Sequence, residues 1–481
     1  MIEGNRVSTT ASESTNPFAT PGAYLSGDYG PVADEVTAFD LPVIGDLPAE
    51  LAGRYVRNGP NPIAPHQLDL STHHWFVGDG MVHGIRLRDG RAEWYRNRYV
   101  GSPAVSAARG APDVPGPNWS GSALGANTSV GGFAGTTWAL VEAGGTPVEL
   151  TYELETVGRN DFFGTLPGAY TAHPKYDPRT GELHAVCYAW GQWLDHVQYV
   201  VVGPDGRVRH ALDIPLPGMT MIHDMSLTPS WAVVYDQPCT VDLDLAFAGR
   251  FPFRWNPEYG NRLGLLPRSG PDGFGATAAD IVWIDVPLGY VFHPLNAFER
   301  TDGTVVIDVC NYDTMFATDI LGPFGDGGLG RLERWELSPA RRTCSVTVID
   351  EAANEFPRHR GSVGLQEYRY GYCASPSMDA GVGWPTLKHD LVTGERRTFD
   401  HGPGRAAGEP VFVARPGATA EDDGWLITFV HDRGTGTAEF VVLDAQEFDR
   451  RGYVARVPLP QRVPFGFHGA WISDATVPPP A

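Results

Sequence analysis

The sequence predicts an all-β chain folded as a β-propeller. Short runs rich in Val, Ile, Tyr, Phe and Trp recur along it, with little helical periodicity between them. Turn chemistry separates the runs, and Gly and Pro are abundant, at 58 and 41 residues. The chain is 481 residues long and shows no internal linker. Many hairpins in one long unit suit a propeller, which spreads them around an axis and leaves only short edges. No WD or kelch repeat marks the blades, so the architecture rests on the hairpins themselves.

The hairpin signals follow in chain order. LRDGRAEWY turns at Asp89-Gly90, DPRTGELHAVCYAW at Thr180-Gly181, VVVGPDGRVRH at Asp205-Gly206 and ERTDGTVVIDV at Asp302-Gly303. Glycine in such a turn reaches positive φ without a Cβ clash. Residues 1–16 are polar and rich in Ser and Thr, the composition of a disordered tail. Residues 17–475 read as a single domain, and 476–481, ending in VPPPA, as a flexible tail.

Bulk properties exclude several classes. A net charge of −21 with pI near 5.1 argues against nucleic acid, which requires a basic face. Five scattered cysteines without a CxxC fit a reducing compartment. The first residues hold no apolar signal core, and no run approaches the roughly 18 apolar residues of a spanning helix. The expected location is cytoplasmic. There is no GxSxG elbow for a serine hydrolase, and GDGM at Gly78 to Met81 is a tight turn rather than a phosphate loop.

Four of the 15 histidines sit beside a turn-forming or small residue: TAHPKYDP (His173), MIHDMSLTP (His223), VFHPLNAFE (His293) and GFHGAW (His468). Steps of 50, 70 and 175 residues mean that only the whole fold can gather them. Four neutral imidazoles leave two positions of an octahedron open, which suits a non-haem iron holding dioxygen beside a substrate. Three carboxylates stand in apolar or turn settings: Glu142 in TTWALVEAGG, Glu355 in AANEFPRHR and Glu409 in AAGEPVFVARP. A half-buried carboxylate is costly unless paired. Accepting the ring N–H of a metal-bound imidazole would pair it, whereas a surface turn or an arginine partner is the plainer reading. His73 and His74 would face opposite sides of a strand. His359 and His401 read as solvated turn residues.

RYVRNGPNP (Arg54 to Pro62) and HWFVGDGMVHGIRL (His74 to Leu87) resemble the opening signature of the carotenoid cleavage oxygenases. The histidine segments follow in that family's order, and the resemblance runs from about Thr37 to Ile472. It implies a seven-bladed β-propeller with a lid of loops and short helices over an axial site. It implies one Fe(II) per chain, held by His173, His223, His293 and His468. By the same similarity Glu142 orients His223, Glu355 orients His293 and Glu409 orients His468, leaving His173 without a carboxylate. Thr128, in GANTSV, resembles a threonine whose methyl crowds an open iron position. The implied reaction cleaves a conjugated C=C of a carotenoid or apocarotenoid with dioxygen, giving two carbonyl products.

Relatives that cleave phenolic stilbenes resemble one another in a lysine just before the first glutamate. Here that residue is Val141, which favours an apolar polyene, although Trp119 or Tyr188 could serve a phenol. Phe76, Trp190, Trp193 and Phe316, with Val141, are candidates for the substrate tunnel. Val241 to Trp255 (VDLDLAFAGRFPFRW) matches in position the family's apolar patch at the tunnel mouth. It is the candidate for peripheral membrane contact, with Arg250 and Arg254 meeting anionic headgroups. A stilbenoid-cleaving dioxygenase and a non-catalytic binding propeller are the alternatives.

Overall fold

A computed structural model describes residues 18, 20–119, 125–268, 276–318, 321–324, 328–377, 379 and 382–480. Its strands form seven antiparallel sheets arranged as propeller blades, plus one two-stranded sheet. Blade 1 spans 37–99, blade 2 spans 129–159, blade 3 spans 175–215 and blade 4 spans 226–285. Blades 5, 6 and 7 span 290–350, 355–399 and 405–458.

The two ends of the chain close the ring. The last strand, Gly469–Ser473, pairs with Gly53–Arg57 in blade 1. The early strand Ile44–Gly45 pairs with Ala455–Pro458 in blade 7. All four expected hairpins are present. At Asp89 and Gly90 both φ values are positive, 51° and 71°, as a two-residue turn between twisted strands requires.

Burial grades outward across a blade. In blade 5 every residue of Val305–Tyr312 is buried, so Val, Ile and Cys run together without alternation. The outermost strand, Thr343–Asp350, shows no buried residue, and its half-buried side chains mostly alternate with exposed ones. Aromatic and branched side chains fill the spaces between blades, as Val233, Leu265, Val291, Ile307 and Trp335 do between blades 4 and 5. Burial of this kind contributes roughly 25 cal/mol per Å² of apolar surface.

Helix is scarce in the remainder of the chain. It holds only two short α-helices among the described residues, Pro103–Ala108 and Leu243–Phe247. Leu243–Phe247 lies between the paired strands Cys239–Val241 and Phe253–Trp255. No helix is long and apolar enough to cross a membrane. The five cysteines are free. The tail expected to be disordered, 1–16, lies outside the described residues. At the other end one expectation is corrected: Val477 is buried against Val56, Val130 and Ile472, while Thr476, Pro478, Pro479 and Pro480 are exposed. Backbone bonds from Thr476 and Val477 to Ser473 tie this stretch to the closing strand.

Candidate metal centre

The innermost strand of each blade faces the axis, and the four histidine motifs lie at the starts of four such strands. His173 precedes Lys175–Asp177, His223 precedes Ser226–Leu227, and His468 precedes Gly469–Ser473. His293 lies within Tyr290–Glu299, where a register shift between Val291 and Pro294 breaks the ladder. A strand thus begins just after three of the four histidines, and a break in the ladder marks the fourth. At Gly469 a side chain would collide with Tyr55, since an added Cβ would stand 2.8 Å from its hydroxyl.

The structure brings all four imidazoles together. Each offers one ring nitrogen, and these atoms lie within 4.8 Å of one another. The three blades that supply no histidine supply the carboxylates. Glu142 of blade 2 lies 2.9 Å from His223 Nδ1, Glu355 of blade 6 lies 2.6 Å from His293 Nδ1, and Glu409 of blade 7 lies 3.1 Å from His468 Nδ1. All three glutamates are buried, so the surface-turn reading is excluded. The pairing follows the order expected from the resemblance.

These contacts fix the tautomers. A carboxylate can only accept, so each of the three Nδ1 atoms carries a proton and each Nε2 presents a lone pair. His223 Nε2 and His293 Nε2 face each other at 3.1 Å. Two lone pairs at that distance repel, and a cation between them removes the conflict. His173 Nε2 is likewise buried without a partner. The donor set therefore fits a metal ion of the imidazole-binding kind.

Burial lowers the pKa values of His173, His293 and His468, and the neighbouring imidazoles add to this. Burial acts against the charged form of His223 too, but Glu142 outweighs it and the pKa is raised. Burial opposes ionisation of Glu409, yet Arg358 and His468 hold its carboxyl far below the usual range. Arg358 Nη2 donates to Glu409 Oε2 at 2.9 Å, and Gly469 N donates to the same oxygen at 2.7 Å. Two residues that follow these carboxylates, Ala143 and Phe356, have positive φ, 65° and 52°. Strain of this kind collects where the surroundings over-determine a functional geometry.

Two cavities meet the cluster. One, of about 370 Å³, has a mixed lining and runs beside His173, His293 and His468 past the charged Lys175, Asp224 and Arg358. The other is apolar, about 70 Å³, and is walled by Phe76, Val141, Phe292, Phe356 and Phe467 against His223, His293 and His468. Thr128 lines the apolar cavity as well. Its hydroxyl donates to Asn127 Oδ1 at 2.9 Å, which leaves the methyl as its free group.

The tunnel expectations divide. Phe76 and Val141 line the apolar cavity. Phe316 is one ring behind, 6.2 Å from Phe76 and 5.2 Å from His74. Trp190 packs on the core between blades 3 and 4, and Trp193 packs edge-on against Trp119, so neither lines the cavity. Tyr188 is buried beside Glu142 and does not line it either. Phe292, Phe356 and Phe467 were not anticipated. Each is a sequence neighbour of His293, Glu355 or His468, and that adjacency was the available signal.

Three further expectations are corrected. His401 is buried, with both ring nitrogens bonded, to Thr386 and Tyr453, rather than solvated. His359 is half-buried, and its Nδ1 is bonded to the Arg360 carbonyl. His73 and His74 are not on a strand; His74 is buried and stacks on Phe251 at 3.6 Å. The apolar patch is also narrower than Val241 to Trp255. Phe253 is core and Phe251 is half-buried on His74, while Phe247 is 85% exposed and Leu243 56%.

A seven-bladed ring with four imidazoles on its axis and three glutamates behind them defines a metal-binding propeller enzyme scaffold. The model of the retinal pigment epithelial membrane protein family (RPE65) matches residues 29–473. The carotenoid cleavage oxygenase of Mycobacterium tuberculosis is 42% identical over 96% of this chain and 98% of its own. Two solved structures share the fold. The lignostilbene dioxygenase of Pseudomonas brassicacearum has a TM-score of 0.83 at 28% identity, covering 94% of this chain and 98% of that one. Cobalt-substituted apocarotenoid oxygenase of Synechocystis has a TM-score of 0.80 at 26% identity, covering 94% and 99%. The chain belongs to the carotenoid cleavage oxygenase (RPE65) family.

Proposed function

We propose that this chain is an Fe(II)-dependent dioxygenase that cleaves a conjugated C=C of a carotenoid or apocarotenoid. Residues 17–475 act as one catalytic domain, closed where the last strand, Gly469–Ser473, pairs with Gly53–Arg57. One observation carries the reading: an aromatic-walled cavity opens directly onto a four-imidazole cluster. His173, His223, His293 and His468 would hold one iron. Glu142, Glu355 and Glu409 keep three of those rings in the tautomer that offers Nε2, and their charge raises ligand basicity. Bound ferrous iron supplies the site at which dioxygen is activated. Both oxygen atoms end in product: the C=C is lost and two C=O groups form, so no other reductant is consumed.

The protein's own work is positioning and exclusion of water. Phe76, Phe292, Phe356 and Phe467 fix the plane of a polyene, and the Thr128 methyl limits the space beside the cluster. About 70 Å³ holds only the reacting segment of such a molecule. The rest must extend past Phe76 or past Phe324, which also lines this cavity. Incubation with β-carotene, an apocarotenal and resveratrol, with products identified by mass, tests the reading. Aldehydes from a carotenoid or apocarotenal are expected, and cleavage of resveratrol alone would replace it with the stilbenoid reading.

Val141 discriminates the two substrates further. Val141→Lys is expected to cut polyene turnover by at least ~10-fold, because an ammonium in an apolar cavity is costly to desolvate. The same variant should gain activity on a phenolic stilbene. Comparing kcat/KM for the two substrates checks this.

A polyene arrives from a bilayer, so we also propose reversible docking through Leu243 and Phe247 and residence at the cytoplasmic face. Five free cysteines, four of them buried, fit that compartment. Arg254 is paired with Asp242 at 3.8 Å, so apolar contact carries most of the attraction. Replacing Leu243 and Phe247 together with Ser should lower liposome binding several-fold and spare turnover of a detergent-dispersed apocarotenal. Sedimentation with vesicles and a parallel activity assay separate the two effects.

A further inference from the structure

His173 differs from the other three imidazoles. No glutamate accepts its Nδ1–H, and its ring borders the larger, mixed cavity. The nearest carboxylate oxygen to Nδ1 is Asp224 Oδ2, at 3.7 Å. That is longer than a hydrogen bond, so the contact is loose. Yet Asp224 is held hard. Its Oδ1 accepts from Met225 N at 2.6 Å, its Oδ2 accepts from Lys175 Nζ at 2.7 Å, and its side chain is 3% exposed.

The chain places this pair by simple periodicity. Lys175 lies two residues after His173, which puts both on one face of the same extended segment. Asp224 directly follows His223. The ion pair thus joins the inner strands of blades 3 and 4 beside the cluster and aims one carboxylate oxygen at the one imidazole that lacks a partner.

We infer that Asp224, anchored by Lys175, is the positioning residue of His173, the fourth outer carboxylate of the centre. This rests on the reading that the four histidines hold a divalent metal. When Nε2 binds that metal, Nδ1 must keep its proton, and Asp224 Oδ2 is the acceptor in place to take the hydrogen bond. Charge supports the assignment. Glu142, Glu355, Glu409 and Asp224 carry four negative charges, while Arg358 and Lys175 return two positive ones. Carboxylates thus outnumber the cations paired with them, as a site for a metal cation requires.

Cobalt(II) is the probe, since its visible bands report ligand geometry without turnover. Asp224→Asn and Lys175→Met are compared with wild type for the cobalt spectrum, the rate of cobalt loss to a chelator and apoprotein melting. Both variants lose the ion pair, so both should melt at similar temperatures. Asp224→Asn alone should shift the bands markedly and release cobalt about 10- to 100-fold faster, the usual size of an outer-shell effect. Lys175→Met, which keeps the carboxylate, should stay nearer wild type. Should Asp224→Asn fail to fold, Asp224→Ser takes its place. Equal melting losses with unchanged spectra and release rates would overturn the inference and leave Asp224 a structural staple. Wild-type protein that takes up no cobalt would instead overturn the metal reading beneath it.

Discussion

Replacing His293 with Ala is expected to remove most of the metal and more than ~100-fold of the activity, with the fold retained. The ring sits between His223 Nε2 and Glu355, so its loss breaks both a ligand contact and a carboxylate brace. Three ligands bind a divalent ion less tightly and leave its geometry undefined. An outer-shell change costs roughly 10- to 100-fold, and loss of a ligand exceeds that range. Far-UV circular dichroism should stay unchanged, because the blade ladder around His293 is made of backbone bonds. Metal analysis and turnover on the same preparation check the result. A variant with full metal and full rate would remove His293 from the centre.

The second large effect separates two glutamates with the same role. Glu142→Gln should cost about 10- to 100-fold in metal affinity or rate and leave melting nearly unchanged. Glu409→Gln should cost as much in function and also destabilise the fold. Glu409 pairs with Arg358 and accepts from Gly469 N at the ring closure, whereas Glu142 has only His223, and no arginine or lysine, as its ion-pair partner among the described residues. Breaking a buried ion pair costs about 3–5 kcal/mol. The Arg358 side chain keeps 38% exposure at the axial cavity. Water therefore screens it, and about 1.5–3 kcal/mol, the range of a charged hydrogen bond, is the better expectation. Equal melting curves for the two variants would contradict the account of Arg358.

Much of this was legible in the sequence because the signals were local. Asp89-Gly90 and its counterparts mark hairpins by backbone chemistry alone. The histidines stand out because Pro, Asp or Gly follows each one, where an inner strand begins or, at His293, where its ladder breaks. The number of blades was not legible as a repeat, since the inner strands are unlike one another. Ser226–Leu227 has two residues and Tyr290–Glu299 has ten, and blade 1 borrows its inner strand from the far end of the chain. The family resemblance supplied the count.

The cavity walls were harder for a physical reason. On a regular strand Phe292 and His293 face opposite sides, and so do Glu355 and Phe356. Here a bulge at Val291 to Pro294, another at Glu355 to Arg358 and a positive φ at Phe356 bring each pair to one side. Trp190 and Trp193 misled for the opposite reason: in a propeller, most large aromatics pack between blades. His401 misled because its Gly-rich turn hides Thr386 and Tyr453, which lie far away in sequence. In the sequence His74 is only one of an adjacent pair, because Phe251, which stacks on its ring, lies 177 positions on.

The most direct test is an anaerobic titration of metal-free protein with Fe(II), followed by aerobic turnover of an apocarotenal at each point. The account predicts that activity rises in proportion to bound iron and breaks sharply at one iron per chain, with two carbonyl products from each substrate consumed. Cleavage that persists after complete chelation, or one bound iron per chain with no cleavage of any conjugated substrate, would contradict it.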